Sequence, residues 1–260
     1  LTLWILSILI LASLVLAGFF ARWILDNPLG TFEGGVLYRL GQAYVKIVHN
    51  LRVHGSDHIP NTSSPGPLIV VANHTAGVDP ILIQSALPFP VRWVMAEDMR
   101  APALEWFWKW QGVIFVGKPG SEALGLREAL NHLRNGGVIG IFPEGGIERP
   151  VRQLLPFYAG LGTLVRRSSA AVLPVLVEGT PQVDPAWASL WRPSHSIIRF
   201  GPIMRDLSGT PQQITETIRQ RFLEWSGWEP NDKPAVIETD GSKPPRSARQ
   251  RDHADNLSAA

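Results

Sequence analysis

Hydrophobic positions along this chain fall into three regimes. The first is an unbroken run, Leu1 to Phe20, with no charge and only Thr2, Ser7 and Ser13 as polar side chains. As a helix such a run is long enough to cross a bilayer core of about 30 Å. Trp4 and Trp23 bracket it, separated by a helical rise of about 28 Å that would set one indole at each interface. A cleaved signal peptide is the competing reading. It is disfavoured because no basic segment precedes the run, the run is long for a signal peptide, and no clear A-x-A site follows. Residues 1–25 are therefore expected to form a transmembrane anchor.

The second regime, residues 26–50, is periodic. Val36, Leu37, Leu40, Tyr44, Ile47 and Val48 recur at helical spacing with Arg39, Gln42 and Lys46 between them, which predicts an amphipathic helix close to the membrane. Such a helix either packs on the following domain or lies in the membrane interface. From residue 51 the pattern changes to short apolar, β-branched runs separated by helical stretches. A short strand is predicted over 52–55, with further strands at 68–72, 91–94, 113–116, 138–141, 172–177 and 197–200. Helical patterns fall at 80–86, 102–110, 122–135, 161–167 and 211–225. This alternation predicts an α/β domain over 51–228, a mainly parallel sheet covered by helices. Residues 229–260 are rich in Pro, Ser and charge with few apolar positions, and read as a disordered tail.

Composition narrows the classes. The chain has 24 basic and 22 acidic residues, so no broad basic field points to nucleic acid. Zero cysteines exclude a disulfide framework, a thiolate nucleophile and a Cys-containing zinc site. His49, His54 and His58 match no metal-ligand spacing, so no metal is expected. Arg22, Arg39, Lys46 and Arg52 follow the apolar run against Asp26 and Glu33, which by the positive-inside tendency sets the bulk of the chain in the cytoplasm. Trp106, Phe107, Trp108 and Trp110 crowd one short helix, and Trp187 and Trp191 form a second aromatic pair. They suit core packing, or an interfacial surface or acyl-chain groove.

The candidate chemistry sits where two predicted strands end. Asn73-His74-Thr75-Ala76-Gly77-Val78-Asp79 follows the run 68–72, and Phe142-Pro143-Glu144-Gly145-Gly146 follows 138–141. Open α/β sheets bind their ligands just beyond the carboxyl ends of their strands. His74 with Asp79 pairs a general base with a carboxylate able to hold it. Asp79 also directly precedes Pro80, where a helix N-cap is expected.

Four blocks in order resemble the glycerolipid acyltransferase family, which contains the 1-acylglycerol-3-phosphate acyltransferases. Residues 73–79 are similar to its N-H-x-S-x-x-D block, with Ala76 where serine is usual. Gly112-Val113-Ile114-Phe115-Val116-Gly117-Lys118 is similar to G-x-x-F-I-x-R, with Lys118 in place of arginine. Phe142-Pro143-Glu144-Gly145 is similar to the start of F-P-E-G-T-R, continued here by Gly146 and Ile147, and Leu173-Pro174-Val175 resembles V-P-V. The F-K-x-G downstream of the third block appears as Phe157-Tyr158-Ala159-Gly160.

This resemblance implies a membrane-bound O-acyltransferase. His74 would take the proton of a lysophospholipid hydroxyl, such as that of 1-acylglycerol-3-phosphate, as it attacks a thioester carbonyl. Asp79 would fix the imidazole tautomer and stabilise the imidazolium. The thioester, acyl-CoA or acyl carrier protein, would be a consumed co-substrate, with no metal or bound cofactor. Backbone N–H groups of the motif loop, or of the helix at Pro80, would meet the oxyanion. Lys118, Glu144, Gly145 and Gly146 become acceptor-binding candidates, with Arg149 in position to replace the missing family arginine. The implied partners are the lipid bilayer, the lysolipid acceptor and the acyl donor. The alternatives are an acyltransferase acting on a non-phosphate acceptor such as an aminolipid or glycolipid, a catalytically silent lipid-binding scaffold, and a membrane-bound hydrolase.

Overall fold

The chain is seen in a computed structural model that describes residues 2–117, 122–147 and 151–232. Helix α1 (Thr2–Leu25) is long and apolar enough to cross a membrane. Helix α2 (Phe32–Ile47) begins at Thr31, whose hydroxyl accepts the Gly34 amide. Arg39 on α2 reaches back to the end of α1, donating to the Trp23 and Asp26 carbonyls at 2.8 Å each and lying over the Trp23 ring. Gly34 and Gly35 are buried against Leu29, Thr31 and Ile24 at the junction with α1, Val45 is buried in the domain core, and Leu37, Leu40 and Ile47 are exposed.

The domain then runs β1 (Arg52–His54), β2 (Leu68–Ala72), α3 (Asp79–Ala86), β3 (Arg92–Ala96), α4 (Glu105–Gln111), β4 (Ile114–Val116), α5 (Glu122–Arg134) and β5 (Val138–Ile141). It continues with β6 (Gln153–Leu154), α6 (Gly160–Ser168), β7 (Ala171–Glu178), β8 (Ile197–Phe200), α7 (Pro211–Ser226) and β9 (Glu229–Pro230). Seven strands form one sheet in the order β1-β8-β7-β2-β5-β3-β4. Its pairings are parallel except β7 with β8, so the predicted mainly parallel sheet is what the chain forms.

Strand β2 lies near the middle and is buried along its whole length. Its side chains alternate between two cores, as strand geometry requires. Ile69 and Val71 pack with residues of α5, α6 and α7, while Leu68, Val70 and Ala72 pack with α3 and Val45 of α2. The sheet therefore separates an α2–α3 layer from an α5–α6–α7 layer.

Two details depart from the pattern. The stretch 102–110 splits into a 3-10 turn, Pro102–Leu104, and α4. The first residues assigned to the tail belong to the fold: β9 pairs in parallel with β6, Asn231 donates to the Leu154 carbonyl at 3.0 Å, and Asp232 meets the buried Arg219 at 2.7 Å. Two-residue strands are too short to leave a period in the sequence. Residues 233–260, the rest of the expected tail, lie outside the described residues.

Candidate active site

Because β2 and β5 are parallel neighbours, the loops that follow them emerge at the same sheet edge, and their side chains meet. Asn73 starts the first loop. Fully buried, its side-chain amide donates to the Val177 carbonyl at 3.0 Å and accepts the Val177 amide at 2.8 Å. It thus carries the β2–β7 ladder one step beyond the last backbone pair, Ala72 with Val175. That fixes where His74 leaves the sheet.

Asp79 shapes the loop around His74. Its Oδ2 accepts the amides of Thr75 at 2.7 Å and Ala76 at 2.9 Å, and the Nδ1–H of His74 at 2.9 Å. The Thr75 hydroxyl donates to Oδ1 at 3.2 Å and accepts from Thr180 at 2.7 Å. These donors satisfy a carboxylate that has no solvent exposure. With Nδ1 protonated toward Asp79, the Nε2 lone pair of a neutral imidazole is the basic position. Nε2 makes no hydrogen bond among the described residues, and the His74 side chain keeps 21% of its surface open.

The expected N-cap role of Asp79 is not what the structure has. Helix α3 starts at Asp79 itself, with Val78 as the cap and no side-chain capping bond, because the carboxylate points back to residues 74–76. The oxyanion expectation narrows with it. The amides of His74, Thr75 and Ala76 are engaged by Glu144 and Asp79, Pro80 has no N–H, and Ile81 and Leu82 donate to the Val78 carbonyl. The Gly77 and Val78 amides of the motif loop make no hydrogen bond among the described residues.

Glu144, only 1% exposed, braces the two loops. Its Oε1 accepts the His74 amide and its Oε2 accepts the Leu155 amide, each at 2.9 Å. Gly145 follows in the left-handed region at φ 67°, where a Cβ would stand 2.1 Å from the Tyr158 ring, so the turn that aims Glu144 inward takes glycine. At Gly146 a Cβ would meet nothing within 4 Å. Lys118 and Arg149 lie outside the described residues.

An aromatic stack holds the imidazole plane. The His74 ring stacks on Phe142 at 4.2 Å, and Phe142 stacks on Trp93 at 5.1 Å. Trp93 lies across the neighbouring strand from Gly140, and a Cβ there would be 2.4 Å from its ring. Gly140→Ala is therefore expected to push the indole against Phe142, costing about 1–3 kcal/mol in stability and lowering turnover. Denaturant unfolding alongside an activity assay checks both. Nothing at the level of strand patterning points to Trp93 or Thr180; both reach the site through cross-strand partners.

The tryptophans differ in exposure. Trp108 is buried and packs 6.1 Å from Trp187, whereas Trp106 and Trp191 are 65% and 82% exposed. Behind the site, Gly77 fits against the carbonyl of Ala186, at the start of the 3-10 segment Ala186–Trp191. That segment is tied to α2 through Tyr44, whose hydroxyl donates to the Leu190 carbonyl at 2.7 Å and accepts from His49 Nε2 at 2.9 Å. His49 Nδ1 is met by Ser194 at 2.8 Å.

Burial pushes the His49 imidazole below its ordinary value, more than the Asp79 charge raises it, and burial with the Arg92 charge does the same to His132. Above about pH 6.5 both rings are neutral in folded and unfolded chains alike. As pH falls below that value the unfolded chain takes up protons first, so stability falls. Thermal melts at pH 7.5 and 5.5 should show a lower midpoint at pH 5.5, and a smaller drop in His49→Gln.

The loops after β2 and β5 thus set an imidazole, open at Nε2, against a buried carboxylate at the carboxyl end of the parallel strands. Residues 50–178 match the family model described as Acyltransferase, and the chain belongs to that family. It is 30% identical over 184 residues to N-acylphosphatidylethanolamine synthase of Arabidopsis thaliana, covering 62% of this chain and 64% of that protein. It is 31% identical over 144 residues to 1-acyl-sn-glycerol-3-phosphate acyltransferase of Borreliella burgdorferi, covering 53% of each. The chain thus spans less than two thirds of the length of these curated relatives. The crystal structure of the 1-acyl-sn-glycerophosphate (LPA) acyltransferase PlsC from Thermotoga maritima aligns with a TM-score of 0.61 at 20% identity, over 80% of this chain and 88% of that one. That last likeness is one of fold.

Proposed function

We propose that the protein moves a fatty acyl group from a thioester to a free hydroxyl of a lysophospholipid, with His74 as general base. The observation that carries this is the His74–Asp79 contact at 2.9 Å, with Nε2 left open at the sheet edge. A lipid hydroxyl bound at Nε2 would give up its proton as it attacks the thioester carbonyl, and Asp79 would stabilise the imidazolium. Collapse of the tetrahedral intermediate expels the thiolate, which takes the proton back from His74. The exchange of thioester for oxygen ester balances without a metal or redox group, and the donor, acyl-CoA or acyl carrier protein, is consumed.

Glu144 and Gly145 act on this reading by setting the His74 loop, while Lys118, Gly146 and Arg149 remain the candidates for the acceptor's head group. Helix α1 anchors the domain in the bilayer, with the exposed apolar face of α2 beside it and the domain on the cytoplasmic side. A second reading, an amine-bearing phospholipid as acceptor, is favoured by Lys118 and Gly146 standing where the family pattern has arginine and threonine, and by the likeness to the Arabidopsis N-acylphosphatidylethanolamine synthase.

The test is a product analysis of the full chain in detergent. Labelled acyl-CoA and acyl carrier protein thioesters are offered against lysophosphatidate, other lysophospholipids and phosphatidylethanolamine. A labelled ester of a lysolipid supports the first reading, and a labelled amide the second. Free fatty acid released without any acceptor would identify a hydrolase instead.

A further inference from the structure

The layer of the domain that faces away from α2 carries an unpaired basic surface. Arg127 and Arg134 stand on the outer side of α5, separated along the helix by about 10 Å, and Arg167 stands in the last turn of α6. All three are exposed, and none makes a hydrogen bond or ion pair among the described residues. Together they rim a shallow groove floored by Ala123, Leu126 and Leu130. Leu124, 66% exposed, extends the apolar strip toward the start of α5. Glu128, the carboxylate within this surface, is held by Arg92 at 2.5 Å, so it does not neutralise the three guanidinia.

We infer that this α5–α6 surface is the docking face for an acidic acyl carrier protein that delivers the thioester. The inference rests on the acyl-transfer reading above and selects its donor. Guanidinia around an apolar floor suit a partner that offers carboxylates around an apolar helix face. A bilayer surface suits it poorly. The helix able to cross a membrane packs against α2, and α2 lies in the layer on the other side of the sheet. Strand β4 ends at the same edge as β2 and β5, and α5 starts its return from that edge, so of the three arginines Arg127 stands nearest the rim that holds His74, with Arg134 and Arg167 toward the opposite end of the sheet. CoA offers phosphates but no helical face to match the apolar strip.

The experiment compares the full chain in detergent with Arg127→Glu and with Arg127→Glu/Arg167→Glu, using the same acyl chain on acyl carrier protein and on CoA. The double variant should raise KM for the carrier thioester about tenfold or more, in line with removing charged contacts at a docking surface. Turnover of the CoA thioester should be unchanged. Raising salt should weaken carrier use in the wild type and matter far less in the double variant. Equal losses with both donors, no loss with either, or use of CoA alone by the wild type would overturn the inference. Fluorescence anisotropy of labelled holo acyl carrier protein gives a reading that does not depend on turnover. Saturable binding that the double variant abolishes supports docking, and absence of binding to the wild type overturns it. If the wild type binds the carrier but acylates nothing from either donor, the acyl-transfer reading fails by itself. Should the double variant misfold, Arg127→Gln/Arg167→Gln removes the charges without reversing them.

Discussion

Asp79→Asn is expected to lower kcat for acyl transfer by about 10²–10⁴-fold while leaving the fold and the acceptor KM close to wild type. The geometry separates these effects. The two loop amides and the imidazole all converge on Oδ2, so asparagine can place its carbonyl oxygen there and keep the loop. Its amide nitrogen then faces the Thr75 hydroxyl, which can turn to accept from it. What asparagine cannot supply is the negative charge opposite the imidazolium that forms during attack. Asp79→Ala should behave differently, stranding the buried amides of Thr75 and Ala76 at a cost of about 1–3 kcal/mol each. A thermal melt beside steady-state kinetics distinguishes the two variants. A large drop in melting temperature for Asp79→Asn would mean that the carboxylate serves mainly the loop.

Glu144→Ala is the second variant expected to have a large effect, through position rather than contact with substrate. It removes the acceptor of both the His74 and Leu155 amides, again about 1–3 kcal/mol for each buried amide left unpaired. Releasing the His74 backbone also lets the imidazole drift, and a displacement near 1 Å costs about 10²-fold in rate. The expectation is a lower melting temperature together with a kcat loss of about 10²-fold and little change in acceptor KM. Glu144→Gln, which keeps one acceptor oxygen, should fall between this variant and wild type. A rise in acceptor KM with unchanged melting temperature would show instead that Glu144 touches the acceptor, as the family resemblance implies.

The contrast between Asp79 and Glu144 marks how far the sequence could be read. The strands 68–72, 138–141 and 197–200 were legible to the residue, the first two because a strand buried on both faces leaves a continuous apolar run. Parallel pairing of β2 and β5 then brings His74 and Glu144 together, and the periodic α/β alternation already implied such a sheet. The partner of each carboxylate oxygen was not legible. Whether Glu144 faces a ligand or the amide of His74 depends on the turn at Gly145 and on Leu155 of a later segment. Trp93 reaches His74 only through Phe142 and the space above Gly140, a relation of cross-strand register rather than of local pattern. The pairing of β9 with β6 escaped for a simpler reason. Two residues make no period, and the polar composition that follows hides them.

The central claim is that His74 removes the acceptor's proton during transfer. The most direct test is the rate of labelled acyl transfer to the preferred acceptor by wild type and His74→Ala at equal, verified folding. The account predicts labelled product from the wild type and a rate about 10²–10⁴-fold lower in the variant. Transfer at the wild-type rate by His74→Ala would contradict it.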